Sequence, residues 1–65
     1  MLDVEKIREL REKAGLTQQQ AAELAKLKSR QHWNEIESGR QTNITMDTLE
    51  RIASALGVKA KGLLK

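Results

Sequence analysis

The 65-residue chain has no cysteine, proline, phenylalanine or tyrosine, and only one tryptophan and one histidine. Each absence removes a class of protein. Without cysteine there is neither a disulfide staple nor a thiolate metal site, and His32 alone cannot assemble a zinc site, so no metal and no cofactor is expected. The near absence of aromatic and β-branched runs argues against a β-rich fold. Apolar runs are two or three residues long at most, too short to span a bilayer, and the first residues lack the apolar stretch of a secretion signal. A cytoplasmic protein is expected on that ground. So short a chain has room for one domain, 1–65, whose core buries only about 60% of the surface that its unfolded form exposes. Nothing in it reads as an enzyme: there is no nucleophile with a base, no carboxylate pair in a credible cleft and no glycine-rich phosphate loop.

What is present is charge and helical periodicity. The net charge is +3, unevenly spread. Residues 1–25 hold four basic side chains against five acidic ones, whereas residues 26–43 and 44–65 each hold four against two. The excess lies in the middle and the tail, which is compatible with phosphate binding but is shared by many small proteins.

The pattern predicts an all-α bundle of four to five short helices. Helix 1 spans about Val4 to Ala14, with Ile7, Leu10 and Ala14 at helical spacing and Gly15 as its terminator. Thr17 followed by Gln20 makes a capping box for a helix over Gln18 to Ala25, whose Ala21, Ala22 and Ala25 permit close helix packing. Ser29 offers the next cap, for a helix to Ser38 stopped by Gly39. A polar loop leads to Thr45 and a fourth helix, Met46 to Leu56, expected to bury Met46, Leu49, Ile52, Ala53 and Leu56 before Gly57 ends it. Val58 to Leu64 is expected to form a short fifth helix that closes the core with Leu63 and Leu64, against the cost of Gly62.

Three stretches carry a resemblance: Gly15-Leu16-Thr17-Gln18-Gln19-Gln20-Ala21-Ala22, then Trp33-Asn34-Glu35-Ile36-Glu37-Ser38-Gly39, then Thr48-Leu49 through Ile52-Ala53 to Ala55-Leu56-Gly57-Val58. In their joint order and spacing the chain resembles the phage repressor/Cro-like family, the xenobiotic-response-element type of helix-turn-helix protein, over nearly its whole length. One departure is that the chain runs one residue longer than that family between Ala22 and Ile36, with Lys26 or Leu27 where the turn commonly has glycine. The extra residue is placed at Lys26 to Lys28, which puts Trp33 and Ile36 at the two buried positions of the third helix.

The resemblance implies a lambda-repressor-like fold and sequence-specific binding of double-stranded DNA by a transcriptional regulator, a repressor, with helix 29–38 in the major groove. With Trp33 and Ile36 inward, Gln31, Asn34, Glu35 and Ser38 face outward and Arg30 flanks them. Arginine can pair two-pronged with guanine and Gln or Asn with adenine, so Arg30, Gln31 and Asn34 are the expected base readers. Glu35, an acid beside phosphates, is a poorer candidate. Gln18, at a helix start, is expected to hold a phosphate, with a hydrogen bond that only braces the third helix as the other role, and the two can coexist. Lys28, Ser38, Arg40, Thr42 and Asn43 complete the expected phosphate contacts, although lysine in the turn is equally plausible as a plain solubilising residue. In similar repressors the positions of Arg11 and Glu37 form a partly buried salt bridge between helices 1 and 3, and the same is expected here. Trp33 is read as core rather than as an intercalating wedge, with its N–H finding a partner. His32 is read as a helix-surface or phosphate-side residue.

The competing reading is a protein-interaction module, such as an antitoxin or an adaptor that keeps the fold. The polar Arg30, Gln31 and Asn34 face argues against it, because a partner-binding face more often exposes leucine or aromatic anchors. Domains of this kind usually bind inverted repeats as homodimers. Here pairing would use a patch near Ile44, Val58 and Leu63 or some other element.

Overall fold

In the computed structural model, which describes residues 2–41 and 43–65, every α-helix opens on a side-chain cap. Asp3 precedes α1 (Val4–Lys13), Thr17 α2 (Gln18–Leu24), Ser29 α3 (Arg30–Glu37) and Thr45 α4 (Met46–Leu56); each accepts a hydrogen bond from the backbone N–H three residues on. These bonds satisfy donors that the first turn leaves without a partner. At α2 the capping box is complete, because Gln20 Oε1 also accepts from the Thr17 N–H at 2.9 Å.

These four helices also end alike. The N–H groups of Leu16, Leu27, Arg40 and Val58 reach back to the carbonyls of Arg11, Ala22, Glu35 and Ala53 at 2.9–3.1 Å, after a residue in the left-handed conformation. Glycine occupies that position after α1, α3 and α4, whereas after α2 it is Lys26, at φ 59°. A residue with a Cβ is disfavoured there by roughly 1–2 kcal/mol. The place where the family commonly has glycine is therefore strained, and the five residues Ala25 to Ser29 separate α2 from α3.

The core forms where α2 lies against both α3 and α4, while α1 packs on α3 and α4. Ala21 and Ala22 of α2 and its C-cap Ala25 are at most 1% exposed, and their short side chains leave the space that Trp33 and Ile36 of α3 fill. Ile7, Leu49, Ile52, Ala53 and Leu63 complete it.

Five expectations about the apolar positions are corrected. Met46, at the first position of α4, is 62% exposed, and Leu56, at the other end, is only half-buried. Ala14 is the exposed cap of α1 rather than a core residue. The fifth helix is only a 3₁₀ turn, Ala60–Leu63. Leu63 is fully buried, but Leu64 is exposed and instead pairs its backbone with Leu2 in an antiparallel bridge, next to the bond from the Asp3 N–H to the Leu63 carbonyl at 2.7 Å. Backbone hydrogen bonding, not apolar burial, holds that residue. No helix among the described residues is long and apolar enough to cross a membrane.

Candidate functional site

Helix α3 has two faces and two ends. Its inner face is Trp33 and Ile36, each 1% exposed. Its outer face begins with Arg30 and Gln31, both exposed and neither making a side-chain hydrogen bond among the described residues; Asn34 and Glu35 follow, half-buried, and Ser38 caps the helix. The Ser29 side chain holds the first turn, accepting from His32 N–H at 3.3 Å.

The last residue of α3, Glu37, is the most connected side chain among the described residues. Its carboxylate accepts from three neighbours at once. Arg11 of α1 donates Nη2 to Oε1 at 2.9 Å and Nε to Oε2 at 3.0 Å; Trp33 donates its indole N–H to Oε2, and Gln18 of α2 donates Nε2 to Oε2 at 3.3 Å. Two parallel N–H···O bonds of this kind fix orientation as well as energy. The remaining arm of Arg11, Nη1, donates to the Leu16 carbonyl at 2.9 Å and so pins the α1–α2 turn to the same group. The pair is almost out of solvent, with the side chains of Arg11 and Glu37 13% and 6% exposed. Burial pushes the Glu37 carboxyl up, but the hydrogen bonds from Arg11 and then Trp33 outweigh it, and the group ionises below its ordinary range. The hydrogen bond to Glu37 likewise raises Arg11.

Gln18 carries this network to the outer face. While its Nε2 donates to Glu37, its Oε1 accepts from Asn34 Nδ2 at 3.3 Å. Gln18 thus makes hydrogen bonds that brace α3, one of the two roles weighed for it, and Asn34, expected on the outer face, shares its Nδ2 with α2. Sequence alone gives no sign of this bond, because it joins side chains 16 residues apart across two helices.

Lys28 lies in the α2–α3 turn, and Ser38, Arg40 and Asn43 follow α3; all four are exposed. Ser38 Oγ donates to the Glu35 carbonyl at 3.2 Å. Thr42 lies outside the described residues. These side chains border the outer face of α3 in sequence at both of its ends, so cationic and hydroxyl groups flank the polar amides and the guanidinium of Arg30.

One residue that sequence reasoning passed over is Arg51 of α4. Its Nη1 donates to the carbonyl of Lys26, the strained residue, at 3.1 Å, and its Nη2 lies 3.1 Å from Asp47 Oδ2. A carbonyl turned outward by a left-handed residue wants a donor, and α4 supplies it. The unusual lysine at the glycine position was the available hint that something must hold the turn.

Among the described residues no three of His, Cys, Asp and Glu gather as metal ligands would. No curated protein matches the chain. A family model described as a helix-turn-helix domain matches residues 4–63, which takes in all four helices and the 3₁₀ turn.

Proposed function

Because the chain belongs to that helix-turn-helix family, we propose that it is a Cro/repressor-like, sequence-specific double-stranded-DNA-binding regulator, a repressor of transcription, that lays α3 in the major groove. The observation that carries this reading is the outer face of α3. Arg30 and Gln31 stand exposed in its first turn, the part of a recognition helix that reaches bases first, on a helix whose opposite face is anchored in the core. Arg30 reads guanine O6 and N7, while Gln31 and Asn34 read base edges carrying an amino group. Lys28, Ser38, Arg40, Thr42 and Asn43 take phosphates, and Gln18 adds a phosphate contact from the start of α2. The reading involves no catalysis, cofactor or metal, and places the protein on the nucleoid.

Two copies bind an inverted repeat, one per half-site. Leu63 has no part in that pairing because it is wholly inside the core, and Ile44 and Val58 are half-buried against it. Among the described residues the large apolar side chains left outside are Leu24, Met46 and Leu64.

The test is selection from a random duplex pool, followed by titration of the winning site across a salt series, with circular dichroism as the check on folding. A recovered motif whose log affinity falls linearly with log salt, at a slope matching about three to six phosphate contacts per domain, supports the proposal. A folded protein that enriches nothing overturns it in favour of a protein-interaction module.

A further inference from the structure

The hydrogen bonds that run from Glu37 to the surface have a direction. A carboxylate can only accept, so the group that Gln18 presents to Glu37 must be Nε2. That leaves Oε1 as the end facing Asn34, and an oxygen there requires Asn34 to answer with Nδ2. Each amide is thereby held in one of two orientations that would otherwise be nearly equal in shape. Of the Asn34 amide, Oδ1 is left with no partner among the described residues, while Nδ2 has spent one of its two hydrogens on Gln18. Glu37 is firmly ionised, since Arg11 and Trp33 hold it below the ordinary carboxyl range, so the direction does not reverse near neutral pH.

We infer that Glu37 and Gln18 act as positioning residues that set the hydrogen-bond polarity of Asn34, so that α3 selects at one base pair for a base with an exocyclic amino group in the major groove. This rests on the DNA-binding reading above. Adenine N6 and cytosine N4 are the two major-groove donors, whereas guanine O6 and thymine O4 are acceptors and would meet Oδ1 oxygen to oxygen. An asparagine free to turn over its amide accommodates either class. Here turning over would bring Nδ2 opposite keto bases but set Asn34 Oδ1 against Gln18 Oε1, and Gln18 cannot turn in response without pointing its own oxygen at Glu37. Three side chains on two helices thus fix which end of the Asn34 amide is the acceptor, and a base with an amino group fits that end, with the remaining Nδ2 hydrogen free for adenine N7 beside it.

Parallel selections from a random duplex pool, with the wild-type chain and the variants Asn34→Ala, Gln18→Met and Gln18→Leu, test the inference. In the wild-type motif one position is expected to favour A or C over G or T by about ten-fold, and Asn34→Ala flattens that position. Gln18→Met keeps the length of the side chain but removes both polar ends, so the same preference falls to about two-fold while the other positions of the motif keep theirs. If Gln18 also holds a phosphate, its removal weakens all sites alike and cannot change a ratio at one base pair. Gln18→Leu repeats the measurement should the methionine variant fail to fold. A position that keeps its wild-type ratio without Gln18, or a wild-type motif in which no position answers to Asn34→Ala, overturns the inference and leaves the DNA-binding reading standing. A wild-type pool with no motif at all removes both.

Discussion

The two ends of α3 are built on opposite plans. At its start Arg30 and Gln31 make no side-chain bond among the described residues, and a single hydroxyl, Ser29, holds the turn. At its end Glu37 is tied to α1 through Arg11, to α2 through Gln18 and to its own helix through Trp33. Anchoring at one end fixes the aim of the helix, and the other end keeps its hydrogen-bonding capacity for something outside the molecule. A helix tied at both ends would have spent its donors on itself.

The sharpest way to break the comparison is at the tied end. Glu37→Ala leaves the Arg11 guanidinium nearly buried without its partner, and a loss of about 3–5 kcal/mol is expected in urea unfolding, toward the lower end if Arg11 swings out to water. Arg30→Ala at the other end should do the reverse. Its stability should change by less than about 0.5 kcal/mol, while discrimination at one base pair falls by about 1–3 kcal/mol. Equal destabilisation by the two substitutions would show the ends to be alike. Between these, Ser29→Ala removes the one hydroxyl at the start of α3 and is expected to cost about 1 kcal/mol, measured the same way.

Acid sharpens the same contrast. Glu37 holds its proton less tightly in the folded chain than in the unfolded one. Its contribution is therefore complete above the ordinary carboxyl range and disappears as pH falls through the lowered folded value. Unfolding free energies collected on the acid side should decline over that interval in the wild type and lose that component of the slope in Glu37→Gln. The smallest effect concerns the turn before α3. Lys26→Gly relieves the left-handed strain but gives the unfolded chain more freedom, so a net gain of about 0.5–1 kcal/mol in stability is expected. No gain would mean that the bond from Arg51 to the Lys26 carbonyl already offsets the strain.

Helix boundaries were legible because their determinants are local. Thr17 with Gln20, Ser29 and Thr45 each announce a start, and Gly15, Gly39 and Gly57 each announce a stop, all within four residues of the turn they control. The register of the resemblance put Trp33 and Ile36 inside, and Leu49, Ile52 and Ala53 were placed there by periodicity. Periodicity failed at Met46 because spacing gives the direction of a side chain and says nothing of whether a neighbour stands there. Side-chain bonds between helices were the least legible part. The partner of the Trp33 N–H, the reach of Gln18 to Asn34 and the hold of Arg51 on Lys26 all depend on how the chain packs in three dimensions, which no local pattern records. The resemblance supplied the Arg11 and Glu37 positions, where local patterning offered nothing.

The bond from the Trp33 indole to Glu37 makes the molecule its own spectrometer. Trp33 is the sole aromatic residue of the Phe, Trp and Tyr class, so the ultraviolet emission comes from one ring whose N–H rests on a charged carboxylate. Excitation moves indole electron density away from the nitrogen-bearing ring, and a negative charge beside that nitrogen then lowers the excited state and reddens the light. The colour of the fluorescence therefore reports the charge at the junction of three helices, and a shift to the blue would mark its loss while the chain is still folded.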